Sequence, residues 1–199
     1  MSVLLKVPFV TQLQPGHRDP TGCWYASACM VAYYFESGPR VGVPELHTSR
    51  LDRALRERLG FRGHFATGSE NAAFMMANFG GGQSEHELLA QREHLGPVAK
   101  CETPHAYTLD EIENLLRSQG PIFFYWQKSH GGNTYGHASV LIGMKSETSS
   151  VIYHDPENAP NSTMTVGNFN AKRQRWKYAL MQRKGAGSAI TARAKMFGG

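Results

Sequence analysis

GCWYASACMVAYYF (22–35) has almost no polar face, so as a helix it has to be buried on nearly every side. Cys23 follows Gly22 and opens this run, which places its sulfur at the positive end of the helix dipole, where a thiol ionises more readily. The thiolate is the reactive form of cysteine, so the first residue of the buried helix is a candidate nucleophile. Cys29 is six residues on, about 240° around the helix and in an apolar neighbourhood. It reads as packing, as does Cys101. Glu36, Ser37, Gly38 and Pro39 supply the stop signal.

Outward from this helix, the stretch to Gln119 reads as amphipathic helices. ELHTSRLDRALRERL (45–59), NAAFMMANF (71–79) and EHELLAQREHL (85–95) each carry a helical apolar stripe. Thr108 and Glu111 stand at capping-box spacing before Ile112, Leu115 and Leu116, and Gly120-Pro121 closes that helix. Gly80, Gly81 and Gly82 read as a loop. After Pro121 the character changes. PIFFYWQ (121–127), HASVLIG (137–143) and VIYHD (151–155) are aromatic and β-branched runs separated by HGGNTYG and KSETSS, which are turn compositions. The expected class is α+β, an N-terminal helical half with the buried nucleophile helix packed on a C-terminal antiparallel sheet, with a cleft where the halves meet.

A thiol nucleophile needs an imidazole, and among nine histidines position has to decide. His137 begins the strand HASVLIG and follows Gly136, which permits close approach of another chain. If HASVLIG and VIYHD pair about a loop centred near Ser146, pairing indices sum to 292 and His137 stands opposite Asp155. Directly opposed residues have Cβ atoms about 4.5–5.5 Å apart, so the carboxylate can accept from the ring and orient it. A one-residue slip would present His154 instead. For the oxyanion of acyl transfer, the Cys23 backbone N–H is one donor, and Gln12 or Gln14 is a candidate second donor.

Length and composition place limits on the function. A chain of 199 residues buries a core as one domain without staples, here expected over 1–184, with 185–199 as a flexible basic, glycine-containing tail. Three cysteines cannot all pair, so reduced thiols are expected. No apolar run approaches the roughly 20 residues of a membrane span, and MSVLLKVPFV is too short and interrupted for a signal peptide. Synthesis in the cytoplasm without a signal peptide is expected, any export using another route. All eight basic residues beyond Glu157 lack an acidic neighbour, leaving 13 basic against 16 acidic before them. They read as solvated surface and a frayed end rather than as a nucleic-acid site. No cysteine and histidine spacing matches a zinc site, and no metal or other cofactor is expected.

Five segments in order, VPFVTQ (7–12), GCWYASACMVAYY (22–34), LLRSQGPIFFYW (115–126), GHASVLIG (136–143) and VIYHDP (151–156), resemble papain-like cysteine peptidases. The likeness is to the compact bacterial branch that includes secreted effectors of plant pathogens and toxins of interbacterial secretion systems. FNAKRQRW (169–176) looks like the phenylalanine-asparagine segment that often follows there. The resemblance implies Cys23 as nucleophile, His137 as base, Asp155 as orienting residue, Trp24 packing behind the nucleophile and Gln12 as oxyanion donor. The loop PGHRDPTG before Cys23 is longer than the family usually has, which keeps Gln14 open beside Gln12. The resemblance also implies a protein substrate, export by a specialised secretion system into a target cell, and a cognate immunity or inhibitor protein. The same Cys-His-Asp order serves amidases of cell-wall peptide and protein glutamine deamidases. An inactive papain-like binding module is the reading of another class.

Overall fold

The computed structural model describes residues 2–14, 17–35, 69, 72–73, 76–77 and 81–185. Among these residues it is α+β, with four helices of defined bounds and a seven-stranded antiparallel sheet. The strands are β1 (Ser2–Leu4), β4 (Leu95–Pro97), β5 (Ile122–His130), β6 (Asn133–Lys145), β7 (Ser150–His154), β8 (Ser162–Thr165) and β9 (Leu180–Arg183), and β2 (Leu13–Gln14) with β3 (His17–Arg18) forms a separate small hairpin. The sheet runs β4-β9-β5-β6-β7-β8, and β1 pairs with the end of β6 beyond β5. Helices are α1 (Cys23–Phe35), α2 (Glu85–Arg92), α3 (Leu109–Gln119) and α4 (Val166–Lys172).

The sheet is buried on both faces, which explains the lack of polar alternation in IFFYW and ASVLIG. On one face Phe123, Ala138, Val140 and Ile142 pack with Tyr25, Cys29 and Met30 of α1 and Leu88 and Leu89 of α2. On the other, Ile122, Phe124, Trp126 and Leu141 pack with Ile112 and Leu116 of α3 and Phe169 of α4. Cys29 and Cys101 lie in these two cores, 3% and 2% exposed. Helix α1 is buried from Tyr25 to Ala32, as its apolar circumference requires.

Helix α3 carries the full capping box between Thr108 and Glu111 and ends at Gly120, whose φ of 84° suits glycine. The segment 85–95 is helical only to Arg92. His94 takes a φ of 53°, and Leu95 enters β4, a strand inside the half read as helical. Helical positions also occur at Ala72, Ala73, Met76 and Ala77, whereas the 45–59 helix, the Glu36–Pro39 stop, Gly80 and the tail from 186 lie outside the described residues.

Two sheet readings need correction. The turn composition HGGNTYG contributes only Gly131 and Gly132 to the turn; both have positive φ (57° and 81°), as a two-residue hairpin turn demands, so β5 and β6 extend to His130 and Asn133. The β6–β7 register is also not the sum of 292. Near the loop the sum is 295 (Lys145↔Ser150), because four residues, Ser146 to Ser149, form the turn and Ser149 adopts a φ of 46°. One extra residue in β6, Ile142, then shifts the sum to 294 (Val140↔His154). Gly143 beside this bulge has no room for a side chain: a Cβ there would lie 2.4 Å from the Val3 carbonyl oxygen of β1.

The basic residues beyond Glu157 are not all solvated surface. Arg173 is 3% exposed, donates to the carbonyls of Cys101, Thr103, His105 and Gln174, and lies over the Tyr107 ring.

Candidate active site

Three elements converge on one point: the start of α1, the middle of β6 and the loop after β7. Cys23 is the first residue of α1 and half-buried. Its entry turn is built by Asp19, fully buried, whose carboxylate accepts from the Thr21 backbone N–H and hydroxyl. Gly22 is needed there because a Cβ would meet the Asp19 carboxylate at 2.4 Å. The Cys23 thiol lies near enough to the His137 ring to raise its pKa.

On the ring's other side, His137 Nε2 lies 2.7 Å from Asp155 Oδ1, with both side chains 2% exposed. Nε2 is thus engaged by the carboxylate, and Nδ1 is the ring nitrogen left for another partner. Asp155 lies just past β7, where it is not directly opposite His137. Continuing the sum of 294 pairs Asp155 with Ser139, so the carboxylate reaches His137 as a diagonal neighbour on the same face. His154 points away: its Nδ1 accepts from the Asn161 N–H and its Nε2 donates to the Val7 carbonyl.

Burial alone disfavours the imidazolium, but hydrogen bonds and charge from Asp155 and Cys23 outweigh it and raise His137 to about 9. Burial likewise disfavours ionised Asp155, and the hydrogen bonds and positive charges of His137 and Lys128 reverse it, holding the carboxyl below its ordinary range. A histidine whose folded pKa is raised contributes stability that is complete below about pH 6.5 and is lost as pH rises through about 9. The melting temperature is therefore expected to fall between pH 7 and pH 10. His137→Gln should flatten that slope in a thermal scan, and an equally steep slope in the variant would remove His137 as its source.

Four neighbours escaped the sequence reading. Trp126 stands opposite His137 and packs edge-on to its ring at 5.8 Å. Lys128 stands opposite Tyr135; its Nζ lies 2.7 Å from both Asp155 Oδ2 and Glu157 Oε2, and Tyr135 donates its hydroxyl to Glu157 Oε2 at 2.6 Å. Both cross-strand pairs follow from a turn centred on Gly131-Gly132, so that glycine pair was the signal that could have found them. His137, Asp155 and Glu157 bring three metal-type ligand atoms within 4.8 Å of one another, but the cation between the two carboxylates is the Lys128 ammonium.

Gln12 is 3% exposed, and its Nε2 donates to the Asp19 carbonyl in the loop entering α1. Its backbone N–H donates to the Pro156 carbonyl, tying the Asp155 loop to the α1 entry. Gln14 belongs to β2, where it pairs with His17. Beside Cys23 opens a cavity of about 400 Å³, lined by Trp24, Leu88, Leu89, Tyr125 and Trp176, with Glu85 and His86 at the start of α2. Gly136 is on its wall, and among the described residues nothing lies within 4 Å of where its Cβ would be. Gly136 therefore serves no close approach inside the described fold and leaves that wall open.

A buried helix that opens with a half-buried cysteine, laid on an antiparallel sheet that carries a histidine and its carboxylate, defines the papain-like class of cysteine peptidase. The family described as papain-like cysteine protease AvrRpt2 matches residues 1–174, and this chain belongs to that family. It is accordingly a cysteine-type peptidase. Among the described residues no helix is long and apolar enough to cross a membrane.

Proposed function

We propose that the chain cleaves a protein substrate, with Cys23 as nucleophile, His137 as base and acid, Asp155 as the orienting residue and Gln12 as the side-chain oxyanion donor, within one catalytic domain spanning 1–184. The observation that carries this reading is the buried 2.7 Å contact from His137 Nε2 to Asp155 Oδ1, beside the Cys23 thiol that raises the same ring's pKa, in a member of a cysteine peptidase family. The thiolate attacks the peptide carbonyl carbon, and the resulting oxyanion accepts from the Cys23 backbone N–H and from Gln12 Nε2. Imidazolium His137 gives its proton to the leaving amine as the C–N bond breaks. Water, deprotonated by His137, then attacks the thioester and returns the thiolate.

The apolar cavity beside Cys23 suits a bulky apolar side chain close to the scissile bond. The deciding experiment treats a denatured bacterial or host proteome with wild type and Cys23→Ala and maps new N-termini by mass spectrometry. New termini made only by wild type, with an apolar residue recurring at one position near the cut, support the reading. Glutamine mass shifts of about one unit without cleavage would make the enzyme a deamidase, and release of fragments from purified peptidoglycan alone would make it a cell-wall amidase. Export into a target cell and a cognate inhibitor protein are supported by the likeness to secreted effectors.

Gln12 is chosen over Gln14 because its amide is held against the loop that delivers Cys23. Gln12→Ala should lower kcat by about 10²-fold, the cost of one oxyanion donor. Gln14→Ala should stay within a few-fold of wild type, and the reverse outcome would transfer the role to Gln14.

A further inference from the structure

We propose that Lys128 is a positioning residue of this site: its ammonium, wedged between Asp155 and Glu157, holds the Asp155 carboxylate turned toward His137 and balances the charge of the second carboxylate. The inference rests on reading Cys23 and His137 as a coupled catalytic pair.

The geometry accounts for both carboxylate oxygens of Asp155. Oδ1 accepts from His137 Nε2 at 2.7 Å and from the Glu157 backbone N–H at 3.1 Å, while Oδ2 accepts from Lys128 Nζ at 2.7 Å. Without the lysine, Oδ2 would lose its cationic partner, and the carboxylate, still charged beside the ring, would be free to swing about its contacts to His137 and the Glu157 N–H. Lys128 is itself fixed. Its side chain is only 14% exposed, Glu157 holds its other side at 2.7 Å, and the Tyr135 hydroxyl holds Glu157. A fully extended lysine on an exposed strand end would ordinarily point to water, so burial between two carboxylates marks a placed charge.

The second consequence is electrostatic. Among the described residues, the titratable groups around the His137 ring are Cys23 from α1, Tyr135 from β6, Lys128 from β5, and Asp155 and Glu157 from the loop after β7. Tyr153 of β7 faces Asp155, and Lys172 of α4 lies beyond the Trp126 ring, 5.8 Å from its centroid. Glu157 therefore adds a negative charge that the orienting role of Asp155 does not need, and Lys128 offsets it. Removing the lysine should overstabilise the imidazolium, and neutralising Glu157 should do the reverse.

The test follows the His137 ring by NMR against pH in the full chain, with no substrate present, and assigns its signal with His137→Gln. Wild type should titrate near pH 9. Lys128→Met should move that midpoint up by about half to one pH unit, Glu157→Gln should move it down by a similar amount, and Lys128→Arg should stay near wild type. Alkylation of Cys23 by iodoacetamide at pH 7 should slow about tenfold in Lys128→Met, as the ring loses its fixed orientation. Opposite shifts from the two charge variants cannot come from simple loosening. Midpoints that stay put, or move the same way in both variants, overturn the proposal while leaving the peptidase reading intact. A wild-type ring titrating near 6.5 would overturn the coupled pair and this proposal with it. If Lys128→Met does not fold, Glu157→Gln decides alone: a downward shift supports the charge balance, and no shift or an upward one removes it.

Discussion

Cys23→Ala is expected to abolish turnover, a loss of roughly 10⁴-fold or more, because it removes the proposed nucleophile and residual catalysis would rest on the oxyanion donors alone. The same residue should account for all early chemical labelling. Cys23 is half-buried and lines the cavity near His137, whereas Cys29 and Cys101 are 3% and 2% exposed within the two cores. Burial also pushes the Cys101 thiol up, making it still less reactive. One equivalent of iodoacetamide should therefore add a single alkyl group, on Cys23, and remove activity in step. Equal labelling of all three thiols in the folded protein, or an alanine variant that keeps more than a hundredth of the activity, would transfer the chemistry elsewhere.

The sequence was most legible where local chemistry and burial agree. An apolar circumference from Tyr25 to Ala32 leaves only a buried helix, and the Thr108 and Glu111 pair has no other common use than capping α3. Short strands were less legible. β4, β9 and β1 are three or four residues each and acquire their identity from partners far away in the chain, so nothing in Leu95–Pro97 or Leu180–Arg183 announces a strand by itself. Arg173 shows the same limit for charge. Its sequence context is a run of basic residues, and the three carbonyls of a distant loop, Cys101, Thr103 and His105, joined by that of Gln174, make it a buried structural cation.

The site depends on a feature of the backbone that the apolar pattern conceals. HASVLIG is buried on both faces, so hydrophobicity does not report which residues of β7 share the face of His137. The parity of the register does. A sum of 295, as near the loop, would pair Leu141 with His154 and place that histidine on the His137 face. Inserting Ile142 changes the sum to 294, pairs Leu141 with Tyr153, and brings Asp155 to that face instead. The expected sum of 292 was wrong by two residues, which preserves parity, and this is why the contact between His137 and Asp155 survives the error.

Asp155 and His154 are consequently adjacent in sequence and opposite in their proposed roles, and three substitutions separate them. Asp155→Ala is expected to lower kcat by on the order of 10³-fold, since the His137 ring loses the carboxylate held against its Nε2 and is free to turn from Cys23. Lys128 is also left unpaired on that side. Asp155→Asn should retain much more activity, because an amide oxygen at the Oδ1 position still accepts the ring N–H, although the lost charge should bring the His137 pKa down from about 9. His154→Ala should leave kcat within a few-fold of wild type while lowering the melting temperature. That ring is 4% exposed, bridges Val7 to Asn161 and packs edge-on against Phe9, so its removal opens a cavity and releases the N-terminal segment. Steady-state kinetics and a thermal melt on the three variants read the two roles independently. If His154→Ala lost turnover at unchanged stability while Asp155→Ala kept it, the bulge at Ile142 would not set the face presented to His137, and the proposed triad would lose its third member.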